Sequence, residues 1–356
     1  MQDITLQNAL EYYKSGSAGR AVCLQDKGTQ TICKNVKMLS YQDTYYSNEP
    51  NGKGQFYFED SEIHGTVDYV CGGGDVYFNR VLFVNESRKE GEKNGEDVIA
   101  APNSKSEWGY IFKDCTIENK AAAFSLGRSW NNITRLTWLN TTVNQKDEIL
   151  NDDNKFAYFT INAMGDAMAD KFRLDVLKDA EGNVFSPAEK KVVFKASDGK
   201  VLKDEENIIL TTDEAAAYTL ENVFGEWEPA KLAAQQTAGE ATEADGKLSW
   251  TGDAQMYIVL KDGEFFALTG ENSLNLEGAT GKFTVRAANQ MGGFGEVTSV
   301  ATGIKDIHAA TENGAAVKTA IFGVSGMQQN RLQKGINIVV KTLADGSKQA
   351  TKMVVK

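Results

Sequence analysis

The sequence predicts an all-β chain: a parallel β-helix over residues 1–228, then two small β-sandwich modules over 229–302 and 303–356. Three observations lead there. A short strand pattern returns at intervals of 20 to 34 residues in the first half of the chain, a spacing that signals stacked repeats. Glycine is abundant at 33 and proline scarce at 4, which suits stacked coils whose ladder needs nearly every backbone N–H. Near residue 229 a second region starts, built of short strands separated by Gly turns.

Each repeat reads apolar, any, apolar, any, Asn or Asp, two variable residues, then apolar. It runs Ile32-Cys33-Lys34-Asn35 with Met38, then Phe56-Tyr57-Phe58-Glu59-Asp60 with Ile63. It returns as Val76-Tyr77-Phe78-Asn79-Arg80 with Phe83, where Arg stands in for the Asn or Asp. Tyr110-Ile111-Phe112-Lys113-Asp114 with Ile117 and Leu136-Thr137-Trp138-Leu139-Asn140 with Val143 follow, and Ile4-Thr5-Leu6-Gln7-Asn8 opens the chain. The anchors 8, 35, 60, 80, 114 and 140 are thus 27, 25, 20, 34 and 26 apart. In a solenoid the aligned Cys33, Phe58, Phe78, Phe112 and Trp138 stack inside. An ordinary β-sandwich of alternating strands is the alternative.

The stretch 230–246 is rich in Ala, Gln, Thr, Gly and Glu and reads as a linker or a mobile first strand. After it come Leu248-Ser249-Trp250, Met256-Tyr257-Ile258-Val259, a Lys261-Asp262-Gly263 turn and the strand from Phe283. The tryptophan, the tyrosine-led strand and the closing VRAANQMGGFGE resemble a fibronectin type III module. The last unit carries Ala320-Ile321-Phe322-Gly323, Gly326, Lys334 to Val340 and a terminal Lys352 to Lys356. Strands joined by tight turns and ending on lysine resemble the C-terminal sorting modules of some secreted bacterial proteins.

The net charge of −11 argues against nucleic acid as a main partner. It divides into −16 for residues 1–302 and +5 for the tail. No apolar run approaches the ~18 residues of a membrane span, and no signal peptide is visible in MQDITLQNAL. The two histidines, His64 and His308, lie far apart. A multi-histidine metal site is therefore disfavoured, and a Ser-His-Asp or Cys-His site has only these two to draw on. Cys23, Cys33, Cys71 and Cys115 show no metal-like spacing and read as buried thiols, with one disulfide left open. Carboxylates are then the expected workers of any catalysis.

Two aspartates follow the repeat at one offset: Asp43 is eight residues after Asn35, and Asp68 eight after Asp60. Consecutive coils lie ~4.8 Å apart, so equal offsets bring both side chains to one face. Two close carboxylates suggest an acid paired with a nucleophile or base, one kept protonated by the other's charge.

The segments Ser40-Tyr41-Gln42-Asp43-Thr44-Tyr45-Tyr46 and Gly65-Thr66-Val67-Asp68-Tyr69-Val70-Cys71-Gly72-Gly73-Gly74 resemble two signatures of pectin methylesterases. Leu126-Gly127-Arg128-Ser129-Trp130 is similar to that family's LGRPW, and Arg20-Ala21-Val22-Cys23-Leu24 to its QAVAL stretch. Order and spacing agree for all four. The resemblance covers about residues 1–228 and implies a right-handed β-helix secreted to, or displayed at, a bacterial cell surface, acting on pectin without cofactor or metal. It assigns Asp68 as nucleophile on a galacturonate methyl ester and Asp43 as the acid, then base. Arg128 would hold Asp68 ionised, Gln42 would donate to the oxyanion, and Trp130 would face a sugar ring. Arg20, Tyr46 and Tyr69 complete the expected substrate contacts.

Departures from the family pattern are Arg20 for an oxyanion glutamine, Cys71 for phenylalanine, Ser129 for proline and Tyr45 for leucine. Only one strand precedes the Arg20 segment, so the resemblance also implies missing first coils. Two alternatives stay open: a β-helix that binds pectin without turnover, and a β-helix polysaccharide lyase.

Overall fold

The structure is a computed structural model that describes residues 1–10, 13, 19–104, 106–130, 134–150, 155–156, 158–160, 169–187, 192–195, 201–205, 207–301, 316–323, 327–343 and 348–355. His308, Gly326 and the expected start of the third module at 303–315 lie outside them. Two compact units emerge: Met1–Thr237 with Ala254–Met256 and Ala287–Glu296, and Ala238–Asp253 with Tyr257–Arg286 and Val297–Lys356. The first division thus falls after Thr237 rather than after residue 228.

The first unit is a parallel β-helix with three faces. One face stacks Gln30–Leu39, Gln55–Glu59, Asp75–Asn79, Tyr110–Lys113, Thr134–Leu139 and Ala169–Leu174. A second stacks the far end of Gln30–Leu39 with Glu62–Gly65, Leu82–Asn85, Thr116–Asn119, Thr141–Val143 and Leu177–Lys178. The third stacks Leu24–Asp26, Tyr45–Ser47, Val67–Gly72, Glu96–Pro102, Ala123–Arg128 and Phe159–Thr160. These coil-to-coil pairings are parallel and mostly in register, with shifts between Val98 and Ala100 and between Thr134 and Arg135, so residues at matching offsets stack in rows.

The expected interior row forms: Cys33, Phe58, Phe78, Phe112 and Trp138 pair in sequence, extended by Leu174, and all are fully buried. Phe112 and Trp138 stack at 3.8 Å and Phe78 and Phe112 at 4.7 Å. Met38, Ile63, Phe83, Ile117 and Val143 make a second interior row. Trp138→Ala is expected to destabilise the first unit by about 3–5 kcal/mol, because the stacked ring leaves a cavity no neighbour can fill. Its urea midpoint, read at unchanged m-value, checks this.

The corner between the first two faces explains the Asn/Asp anchors. Asn35, Asp60, Arg80, Asp114 and Asn140 all have φ between 46° and 55°, a left-handed bend that Asn and Asp tolerate. They also bond along the stack: Arg80 Nε donates to Asp60 Oδ1 at 2.7 Å and Asn140 Nδ2 to Asp114 Oδ1 at 2.5 Å. Arg80 reaches Glu59 as well, so its charge is met by two acids. One anchor is corrected. Ile4 and Leu6 pair with Val36 and Met38, and Asp3, at φ 53°, accepts from Asn35 at 2.7 Å. Asn8 instead donates to the Val22 carbonyl.

A feature absent from the sequence expectation is a set of three helices, α1 (Thr212–Ala216), α2 (Leu220–Phe224) and α3 (Pro229–Leu232). They cover the outward row Ile32, Tyr57, Tyr77 and Ile111 through Val223, Phe224, Trp227 and Leu232. At four or five residues each they are too short to show a 3.6-residue period. Their starts are nonetheless marked: a Thr211–Glu214 capping box, Thr219 as N-cap, and Pro229 in the first turn of α3.

The second unit is antiparallel-rich. Trp250 meets Tyr257 edge-on at 5.4 Å over a core that includes Leu248, Val259 and Val285. Asp262 and Gly263, at φ 53° and 90°, make the expected tight turn. A separate four-stranded sheet comprises Ala316–Gly323, Gln328–Gln329, Gly335–Leu343 and Lys348–Val355. Among the described residues no helix is long and apolar enough to cross a membrane.

Candidate active site

The third face carries a cleft of about 560 Å³ lined by Arg20, Val22, Gln25, Gln42, Asp43, Tyr46, Asp68, Cys71, Arg128 and Trp130. Seven of the eight residues singled out in the sequence are there. Tyr69 is the exception: it is fully buried and donates to Asn85 Oδ1 at 2.9 Å. It follows Asp68 in the strand and so faces the opposite side. Val22 and Gln25 were not expected; they come from the coil of Arg20, whose apolar and amide side chains carry no chemical signature in sequence.

The equal offset of the two aspartates has a structural basis. Tyr45, Tyr46 and Ser47 pair with Val70, Cys71 and Gly72, a shift of 25 residues that also sets Asp43 opposite Asp68. Both adopt the same left-handed bend, at φ 59° and 49°. The Asp43 amide donates to the Val67 carbonyl at 3.1 Å and the Thr66 amide to the Tyr41 carbonyl at 3.0 Å, locking the two turns together. Gly65 is required at this join: a Cβ there would sit 2.0 Å from Tyr69 Cβ and 2.6 Å from the Tyr41 carbonyl.

Arg128 reaches Asp68 from two coils away. Gly127 pairs with Ala100, and Ala100 with Val70. Between them, the residue paired with the cleft-lining Cys71 is the small Ala101. Arg128 forms a fork, with Nε on Asp68 Oδ1 at 2.6 Å and Nη2 on Oδ2 at 2.5 Å. Burial pushes the Asp68 carboxyl above its ordinary value, and this fork works against the shift.

Asp43 is in a different environment. Burial, then the charge of Asp68, push its carboxyl up to about 6, against smaller opposing effects of Arg20, Gln42 and Arg128. Arg20 approaches it only loosely, Nε to Oδ2 at 3.4 Å, with the arginine side chain 81% exposed. Arg20 and Gln42 form a backbone bridge, which seats both at one end of the cleft. Trp130 and Tyr46 lie 6.1 Å apart, ring to ring, as an aromatic wall. Cys71 forms part of the floor with its thiol pushed well up by burial, an unreactive state. Ser129 is buried beside Trp130.

No histidine is among the cleft residues. His64 is held between Glu62 and Glu86, at 2.5 and 2.6 Å. All four cysteines are free, so the disulfide left open in the sequence does not form. The arrangement offers one buried, ion-paired carboxylate and one carboxylate able to hold a proton near neutrality, side by side under an aromatic wall. That is the equipment for attack on an ester or glycoside by paired carboxylates.

The first part of the chain is similar to known proteins. Residues 1–152 match the Pectinesterase family. Pectinesterase B of Pectobacterium parmentieri is 30% identical over 154 residues, covering 38% of this chain and 37% of that protein. Pectinesterase B of Dickeya dadantii is 30% identical over 145 residues, covering 36% and 33%. The chain thus spans about a third of the length of these curated relatives. Among solved structures, pectin methylesterase PemA from Erwinia chrysanthemi aligns over 64% of this chain and 70% of its own, at 20% identity and a TM-score of 0.40. Asp43, Asp68 and Arg128 all lie within the region that matches the pectinesterase family.

Proposed function

We propose that the chain is a carboxylic ester hydrolase that removes methyl groups from galacturonan, releasing methanol and leaving pectate. The carrying observation is the in-register pair Asp43 and Asp68 with Arg128 forked on Asp68. The pectinesterase match over these residues and the names of the relatives support the substrate class.

An Asp68 oxygen attacks the ester carbonyl carbon, and Gln42 faces the oxyanion that forms. The tetrahedral intermediate expels methoxide, which takes the Asp43 proton and leaves as methanol, so Asp68 becomes the acyl carrier in a mixed anhydride. Asp43, now ionised, takes a proton from water as its oxygen attacks the galacturonyl carbonyl. The anhydride breaks, the product acid departs, and Asp68 returns as a carboxylate. The high proton affinity of Asp43 suits both halves of this cycle. Arg128 contributes by holding Asp68 charged and aimed.

On methyl-esterified homogalacturonan the intact chain should release methanol and titratable acid in equal amounts. Appearance of unsaturated ends without methanol would mean elimination and would overturn the proposal. Trp130→Ala is expected to raise KM about tenfold with a smaller change in kcat, because the ring supplies binding face rather than chemistry. Steady-state kinetics on one defined oligomer checks it. We read the second unit's sheets as a fibronectin type III-like spacer and a sorting-type terminal module, consistent with a secreted or surface-displayed enzyme.

A further inference from the structure

The two arginines of the cleft are engaged differently. Arg128 sets both arms of its fork on Asp68. Arg20 makes one loose ion pair among the described residues, Nε to Asp43 Oδ2 at 3.4 Å, and its side chain is 81% exposed. A guanidinium presents several N–H donors in a plane that suits a carboxylate. A contact this long and this exposed is weak, so Arg20 keeps donors for a second acceptor that enters the cleft.

The backbone around Arg20 does the structural work there. It bridges to Gln42, the Ala21 amide donates to the Gln42 carbonyl at 2.9 Å, and the Cys23 amide donates to the Thr44 carbonyl at 2.9 Å. The coil runs on into Leu24–Asp26, whose Gln25 pairs with Tyr46 of the aromatic wall. Arg20, Val22 and Gln25 thereby make one rim of the cleft. That rim lies one coil, ~4.8 Å, beyond Asp43, while Arg128 comes from the opposite side of Asp68. A sugar unit that reacts between Asp43 and Asp68 has its neighbour in the polymer at the Arg20 rim.

Fully esterified galacturonan is uncharged, and each methyl group removed leaves a carboxylate. The protein itself has a net charge of −11, which repels a polyuronate at long range. A free carboxylate that enters beside two aspartates therefore needs a cation within the cleft. The charge of Arg128 is already met by Asp68, and Arg20 is the other cation among the described cleft residues.

We propose, on the reading of this cleft as a galacturonan methylesterase site, that Arg20 is a specificity-determining residue that takes the free carboxylate of an unesterified galacturonate beside the reacting ester. The enzyme then favours partly de-esterified chains, because its own product group is what Arg20 binds.

The test uses the full chain and the variants Arg20→Gln and Arg20→Lys. Gln is the residue of the pectin methylesterase pattern at this position, so Arg20→Gln removes the cation and keeps an amide donor. Calorimetry with unesterified trigalacturonate needs no turnover: Arg20→Gln should weaken binding about fivefold or more, and Arg20→Lys should recover part of the loss, keeping the charge without the fork. Methanol release is then compared on a fully methylated tetragalacturonate and on one with a free carboxylate beside the ester. Wild type should have the higher kcat/KM on the second, and Arg20→Gln should lower that ratio about fivefold or more. Any change Arg20→Gln makes at Asp43, which Arg20 also touches, acts on both substrates and cancels in the ratio. Trigalacturonate binding that is absent in wild type, or equal in wild type and Arg20→Gln, would overturn the inference. An equal loss of kcat/KM on both substrates would also overturn it, since it would make Arg20 a general aid to turnover. Absence of methanol release from wild type would instead overturn the functional reading, while the calorimetry would still decide whether Arg20 takes a uronate carboxylate.

Discussion

Asp68→Asn is expected to lower methanol release by about 10⁴-fold or more while the β-helix remains folded. Asparagine removes the attacking oxygen anion but keeps the shape and one acceptor for Arg128. It also tolerates the left-handed bend at φ 49°, which alanine does less well. Arg128 is not stranded by the change, since its side chain is 22% exposed and reaches solvent. Methanol assays beside circular dichroism on the same sample check both halves of the expectation. A variant that folds and retains a tenth or more of the activity would remove Asp68 from the chemistry.

Asp43→Asn is expected to show the opposite coupling, lost activity with gained stability. Activity should fall about 10²–10⁴-fold, because neither the leaving methoxide nor the attacking water has its proton partner. The stability effect follows from the proton held at about pH 6 in the folded chain. An unfolded aspartyl group releases its proton near ~4, so between these values the folded chain binds more protons than the unfolded one. Folded stability therefore falls as pH rises through that window and stays lowered above it. Asparagine lifts this cost, so Asp43→Asn should be more stable than wild type by roughly 1–3 kcal/mol at pH 7 and nearly equal to it at pH 4. Urea unfolding at both pH values measures the difference. Greater stability at pH 4 and none at pH 7 would contradict the assignment of Asp43 as the high-affinity proton site.

Much of this was legible in the sequence because a parallel solenoid converts sequence offset directly into spatial neighbourhood. Asp43 and Asp68 could be paired from their equal distance to Asn35 and Asp60, and the structure places them opposite each other through the pairing of Tyr45–Ser47 with Val70–Gly72. The interior row from Cys33 to Trp138 was readable for the same reason.

What was not legible depended on side-chain direction or short elements. Tyr69 lies beside Asp68 in sequence but on the other side of the strand, against Asn85. The opening coil was misaligned because Asn8 fits the pattern as well as Asp3 does, and only pairing with Asn35 separates them. The helices α1 to α3 are too short for periodicity, although Thr211, Thr219 and Pro229 marked their starts.

The central claim is that Asp43 and Asp68 act as one coupled site, and the most direct measurement is the carboxyl carbon NMR titration of Asp43 in wild type and in Asp68→Asn. The account predicts that Asp43 titrates near pH 6 in wild type and moves toward the ordinary carboxylate range when the neighbouring charge is removed. An Asp43 that titrates near ~4 in both proteins would contradict it.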